Sequence, residues 1–338
     1  MPESERVVTN LNRALGALLD KDQRVYVLGE DIGDPYGGAF KVTRGLSTRF
    51  PGRVLSTPIS ESAIAGVAGG LALAGDRPVI EVMFGDFAGL CFDQLYNFAA
   101  KSVSMYGHRV PMPMIVRCPV GGNRGYGPTH SQNPQKHFIG IPNLSLWELS
   151  PLHDNAVVLD RIMDRGEPAI LFEDKTLYSR RMHRDGVISG PLRFDFPGGD
   201  GNWARVYVGR PDPADYVIIA PGGLAERAWQ AAADLLVEHE LTGQVLVPSR
   251  LYPVDLEPLL PAVRDAGLIC IAEEGVTGGT WGAEVANQLY GRLWADLKRP
   301  IRLVSSADSV IPTAPHLERE VLVQSETIYR AVCEALDA

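Results

Sequence analysis

The sequence predicts an α/β protein: a mostly parallel sheet with helices on both faces, followed by a smaller α/β C-terminal domain. Short apolar runs rich in Val, Ile and Leu alternate with helical segments along the chain, which is the rhythm of βαβ units. That rhythm breaks once, between Tyr178 and Asn202, where periodicity gives way to Gly, Pro and charge. At 338 residues, 45% of them hydrophobic, the chain is long enough for two cores. The expected limits are a first domain over 1–180, a linker over 181–203 and a second domain over 204–338.

Val7 to Leu19 repeats apolar residues at helical spacing, and Arg24 to Gly29 reads as the first buried strand. The loop after it is dense in Gly and Pro and carries Glu30, Asp31 and Lys41. Loops of this kind at a strand's carboxyl end often serve sites, though glycine density is equally the mark of a turn. A strand at Arg53 to Ser56 then hands over to a helix of small residues, Glu61 to Ala74. Gly66, Gly69 and Gly70 within it cost about 1 kcal/mol each relative to Ala. Close approach of another backbone, from the sheet beneath or from a second subunit, is the reason to keep them.

A strand over Pro78 to Met83, a helix over Phe87 to Tyr106 and strands at Pro113 to Cys118, Leu144 to Leu149 and Ala169 to Glu173 complete six in the first domain. Beyond the break the same rhythm resumes with strands at Tyr216 to Ala220, Gln244 to Pro248 and Leu268 to Ala272. Helices over Ala225 to His239 and Trp281 to Leu293 lie among them.

A net charge of −9 argues against a nucleic-acid-binding face. Cys91, Cys118, Cys270 and Cys333 are far apart and form no CxxC pair, so reduced structural thiols are expected. The apolar run Ala63 to Ala74 is too short to span a bilayer and no signal-like stretch opens the chain, so a cytoplasmic protein is expected.

Three polar features fall at carboxyl edges of strands in one sheet: Glu61, the pair Asp86-Phe87, and His130-Ser131-Gln132. That edge is where open α/β sheets bind ligands. Each has a plainer reading. An acid in a helix's first turn complements its dipole, with Ser60 as N-cap, and Asp86 is placed to cap the next helix. Phe87 alone reads as core, and a lone loop histidine is commonly solvated. His137, seven residues beyond His130, completes no metal spacing, so no metal held by this chain alone is expected.

GEDIG, GGAFKVTRGL, TPISESAIAGVAGGLALAGDRPVIEVMFGDF, FDQLYNFAAK, RCPVGG, HSQNPQ, and EEG followed by GGTWGAEVA occur in this order. Together they resemble the β subunit of the decarboxylating component of 2-oxoacid dehydrogenase complexes, the group that includes the pyruvate, branched-chain and acetoin enzymes. The resemblance runs nearly end to end. It implies a transketolase-like fold whose first domain binds the aminopyrimidine of thiamine diphosphate. It further implies a separate α subunit that holds the diphosphate and Mg2+, an α2β2 assembly, and acyl transfer to a lipoyl group on an acyltransferase core. Gly199-Asp200-Gly201-Asn202 looks like the start of a diphosphate motif, but no Asn pair follows, and it is read as a turn.

By the resemblance, Glu61 matches the glutamate that hydrogen-bonds the pyrimidine ring nitrogen. It thereby favours the imino tautomer, whose exocyclic nitrogen takes the thiazolium proton. Phe87 matches the aromatic stacked on the pyrimidine, with Asp86 beside it in the cofactor-binding set, and His130 matches the histidine placed near the substrate as a proton donor or in transfer of the acyl group to the lipoyl arm. The chain departs from the pattern at Gly85, where many relatives have Ala, at Tyr126-Gly127-Pro128, and at Pro248-Ser249. These departures leave a related carboligase or acyl-transfer subunit with another acceptor as the alternative.

Overall fold

Val7, Leu11, Ala14, Leu15, Leu18 and Leu19 fall on one face of helix α1 (Val7–Lys21) and all are buried. That stripe is what makes the segment a helix with one side in the core. A computed structural model describes residues 5–209 and 213–337. It divides the chain into two compact units, one of 1–121 with 129–182 and the other of 122–128 with 183–338.

In the first unit the strands are β1 (Val25–Glu30), β2 (Val54–Thr57), β3 (Arg77–Glu81), β4 (Ile115–Val120), β5 (Ser145–Glu148) and β6 (Ala169–Asp174). They lie in the order β5-β6-β4-β3-β1-β2, every pair parallel. The central strands β4 and β6 are buried along their whole length, as expected for strands covered on both faces. Around them lie α1, the single-turn α2 (Leu46–Arg49), α3 (Glu61–Leu73), α4 (Ala100–Ser102) and α5 (Asn155–Asp164). Asp154 caps α5 by accepting from the Ala156 N–H at 2.9 Å.

The expected regular helix over Phe87 to Tyr106 is not one. The chain winds as a tight 3-10 helix over Gly85–Cys91, widens to a π-helix over Gln94–Ala99, and has α geometry only at 92–93 between them and through α4. The wide segment puts Phe98 against α3, where a Cβ on Gly69 would come within 2.4 Å of its ring. Packing within the chain therefore accounts for Gly69. Gly70 meets nothing within 4 Å.

At the middle of the sheet sits a buried ionic network. Arg117, fully buried on β4, donates through Nη1 to Glu81 at 2.7 Å and through Nε and Nη2 to Glu173 at 2.7 and 2.8 Å. Tyr178 donates its hydroxyl to Glu173 at 2.6 Å. Burial pushes the Glu81 carboxyl above its usual range, an effect the guanidinium opposes.

The second unit holds β7 (Val187–Ser189), β8 (Leu192–Asp195), β9 (Trp203–Val208), β10 (Tyr216–Ile219), β11 (Gly243–Pro248), β12 (Arg250–Tyr252), β13 (Ile269–Val276) and β14 (Arg302–Ser306). A mixed sheet in the order β14-β13-β10-β11-β9-β8-β7 is parallel from β14 to β11 and antiparallel from there on. The segment 181–203, expected as linker, thus contains the β7–β8 hairpin. Leu192 and Phe194 of β8 face inward and are buried, while only short alternating runs mark these strands in a glycine-rich sequence. Helices α6 (Ala225–His239), α7 (Leu260–Arg264), α8 (Trp281–Leu293), α9 (Pro315–Val321) and α10 (Ser325–Leu336) complete the unit.

The EEG…GGTW stretch is an anchor here. Glu273 accepts from the Trp281 and Gly282 N–H groups at 3.2 and 2.6 Å, satisfying the first turn of α8. Its neighbour Glu274 pairs with Arg227 and accepts from the Gly122 N–H at 2.9 Å. Asp200 accepts from the Asn202 N–H at 2.9 Å, so the GDGN stretch closes a turn. Among the described residues no helix is long and apolar enough to cross a membrane.

Replacing Arg117 with Met strands Glu81 and Glu173 in the core without a cation. The expected loss is about 3–5 kcal/mol in urea unfolding, the cost of breaking one side of a buried ion pair. A loss below about 1 kcal/mol would show that the network contributes little.

Candidate active site

Glu30 is the last residue of β1 and pairs in register with Thr57 at the end of β2. Three residues further on, the chain turns into α3, with Ser60 at the N-cap and Glu61 as the first helical residue. Ser60 makes no side-chain capping bond. Its backbone N–H instead acts on Glu30, which has an otherwise unpartnered buried oxygen, Oε1. Glu30 and Glu61 are both buried, at 5% and 8% exposure. Burial, and then the Glu61 charge, push the Glu30 carboxyl above its usual range, against the Ser60 N–H. Behind them Cys91 donates its thiol to the Glu61 carbonyl at 3.3 Å, and burial, then Glu61 and Glu30, push that thiol up to about 12.

The second cluster lies beyond β3 and β4. The Phe84 and His130 rings meet edge to face at 4.5 Å, and Phe87 meets His130 edge to face at 5.3 Å. Phe84 also contacts Phe87 at 6.1 Å and Phe40 at 5.7 Å. His130 is held through Nδ1, 2.9 Å from the Thr129 hydroxyl.

Asp86, between Phe87 and Gly85, does not cap the helix it opens. Both its carboxyl oxygens are buried without a hydrogen bond of normal geometry. Burial raises its pKa, partly offset by the Gln132 N–H and by the positive fields of Lys175 and His130. Gly85 is fixed by packing, because a Cβ there would stand 2.4 Å from Val120 Cγ1.

The structure thus brings Asp86, Phe87 and His130 into one cluster and sets Glu61 beside Glu30 at the same carboxyl edge of the sheet. Sequence reasoning left Glu30 without a role. Its signal was present as a charged residue closing the apolar strand VYVLGE. Among the described residues no group of three or more His, Cys, Asp or Glu side chains is arranged to hold a metal ion.

Known proteins share this two-domain architecture. The pyrimidine-binding domain of transketolase matches residues 6–181, and the transketolase C-terminal domain matches residues 206–328. The chain belongs to the transketolase-like family. Within it, the β subunit of acetoin:2,6-dichlorophenolindophenol oxidoreductase from Cupriavidus necator is 31% identical, over 91% of this chain and 90% of that one. The pyruvate dehydrogenase E1 component subunit β of Leifsonia xyli is 31% identical over 99% and 95%. The 2-oxoisovalerate dehydrogenase subunit β of Bacillus subtilis is 30% identical, over 96% of both chains. Similar in fold is a split-gene transketolase solved as an inactive β4 tetramer, with a TM-score of 0.72, 22% identity and 97% of each chain covered. The family's pyrimidine-binding match covers every member of the two clusters.

Because burial raises the folded-state pKa of Glu30, the native state favours its protonated form. Its contribution is therefore full below the unfolded pKa and is lost as pH rises through the folded pKa. Glu30→Gln should then unfold at a higher temperature than the parent at about pH 7.5, with the difference vanishing near about pH 4. A lower midpoint for Glu30→Gln at neutral pH would contradict the sign.

Proposed function

We propose that this chain is the β subunit of a thiamine-diphosphate-dependent 2-oxoacid dehydrogenase. In this reading it works with a separate α subunit in an α2β2 assembly, decarboxylates a 2-oxoacid oxidatively and passes the acyl group to a lipoyl arm. Residues 1–180 supply the pyrimidine-binding domain and 204–338 the C-terminal domain. The observation that carries the reading is Glu61, a buried carboxyl at the first turn of α3 beside Glu30, within the family's pyrimidine-binding match.

The residues present fit the aminopyrimidine. Glu61 would hold a proton at its ring nitrogen and Phe87 would offer an aromatic face, with Asp86 next to Phe87 in the same cluster. Thiamine diphosphate, when bound, provides the electron sink for decarboxylation. His130, oriented by Thr129 and its two aromatic neighbours, moves a proton at the substrate side. Mg2+ and the diphosphate belong to the partner subunit.

The outer face of α3 supports such a partner. The helix is apolar on all sides, a composition suited to burial, yet Val67 and Leu73 are 55% and 38% exposed, Ile59 just before it is 82% exposed, and Gly70 is open.

Coexpressed with its α partner and assayed by dye reduction, Glu61→Gln should lose about 10²–10⁴-fold in decarboxylation while the assembly is retained. Near-normal turnover by that variant would remove Glu61 from the mechanism. Calorimetry of the isolated chain should find weak thiamine diphosphate binding that tightens only with the α subunit and Mg2+. Tight binding by the chain alone would refute the divided site.

A further inference from the structure

Beside the Phe87–His130 cluster the first unit carries a pocket of about 450 Å3, lined by Asp86, Phe92, Gln132, Pro134, His137 and Phe138. Its volume lies within the range of small-molecule sites. It shares the sheet edge with the candidate active site: Asp86 immediately precedes Phe87, and Gln132 follows His130 by two residues.

The walls are aromatic, with the Phe92 and Phe138 rings 5.7 Å apart and Phe138 itself buried. The polar lining is unlike them. Both Asp86 oxygens are buried acceptors without a hydrogen bond of normal geometry, approached by the Gln132 N–H and by its own, a state that costs free energy until a better-placed donor arrives. His137 lies across the lining, its pKa lowered by burial and then by Lys136, so near neutral pH its ring carries one N–H and one acceptor nitrogen.

The charge around the pocket restricts what this lining accepts. A carboxylate would face Asp86. A cation would meet Lys175, whose field already acts on Asp86, and Lys136 beside His137. A plain alkyl chain would leave the Asp86 oxygens unsatisfied. A neutral donor at the end of a short chain meets all three conditions.

Building on the 2-oxoacid reading above, we propose that this pocket receives the substrate's side chain and selects one ending in a hydroxyl. In this assignment the hydroxyl donates to Asp86 and exchanges a hydrogen bond with His137, while the methylenes lie against the aromatic wall of Phe92 and Phe138. His137 is then a specificity-determining residue.

The test uses the complex of this chain with its α partner and a matched pair of probes, 2-oxo-4-hydroxybutanoate and its methyl isostere 2-oxopentanoate, in dye reduction. The parent complex should prefer the hydroxylated acid by at least about tenfold in kcat/KM. His137→Leu should bring the two within about threefold, and His137→Gln, which keeps a donor and an acceptor, should restore most of the preference. Thermal unfolding of both variants separates loss of recognition from loss of fold.

Equal kcat/KM for the two acids in the parent complex, or a preference for 2-oxopentanoate, overturns the pocket assignment and leaves the decarboxylase reading intact. A preference that His137→Leu does not change also overturns it. Failure of the parent complex to decarboxylate either probe, pyruvate or branched-chain 2-oxoacids overturns the decarboxylase reading, and the pocket assignment with it.

Discussion

A buried carboxyl must be given partners, and this sheet treats its acids in two opposite ways. At its middle, Glu81 and Glu173 surround Arg117, and the guanidinium donates three hydrogen bonds to them. At its carboxyl edge, Glu30 keeps one oxygen and Asp86 both oxygens without a hydrogen bond of normal geometry. Each unsatisfied buried acceptor costs about 1–3 kcal/mol, so a fold selected for stability alone has reason to remove them. The positions that keep the cost lie at the strand ends where α/β sheets bind ligands. The fully paired network further down the strands holds β3, β4 and β6 in register beneath them.

Local packing accounts for the residues found at 85, 127 and 249. Gly85 stands where a side chain would collide with Val120. Gly127 adopts φ +78°, a conformation that favours glycine, with Thr313 close behind it. Ser249 is buried and donates to Asn202, which also accepts from the Arg250 N–H at 2.8 Å. These residues answer contacts within the chain. The Asp86–His137 pocket is different in kind, since the Asp86 oxygens in its lining have no hydrogen bond of normal geometry within the chain.

The strand rhythm was legible because parallel strands covered on both faces read as unbroken apolar runs, as in Ile115–Val120. Glu61 was legible because it opens a helix of small residues directly after a strand. What could not be read depends on contacts distant in sequence. The π-helical turn at Gln94–Ala99 is tied to Phe98 meeting Gly69, a pair 29 positions apart by their residue numbers. The β7–β8 hairpin is held by pairing with β9 rather than by propensity, so its short glycine-rich strands look like a linker. Glu30 had a sequence signal, but its weight comes from Ser60 and Glu61, which reach it only once β1 and β2 are side by side.

Helix α3 shows why a site of this kind extends beyond one chain. A helix apolar around its whole circumference has no face suited to water. Its inner face is satisfied by Ile64, Ala65, Ala68 and Ala72, all buried, and by the contact of Gly69 with Phe98. Its outer face, with Val67, Gly70 and Leu73, is not. Leu90 and Tyr96 in the following segment are also exposed, at 57% and 40%. An apolar surface of this extent beside an unsatisfied acidic edge has two separate deficits, one of hydrophobic contact and one of hydrogen-bond donors. A partner subunit covers the first, and a cofactor carrying ring and exocyclic nitrogens meets the second. Because both deficits flank the same helix, relieving either one places its occupant next to Glu61, which is why binding of the cofactor and assembly with the partner are expected to be coupled.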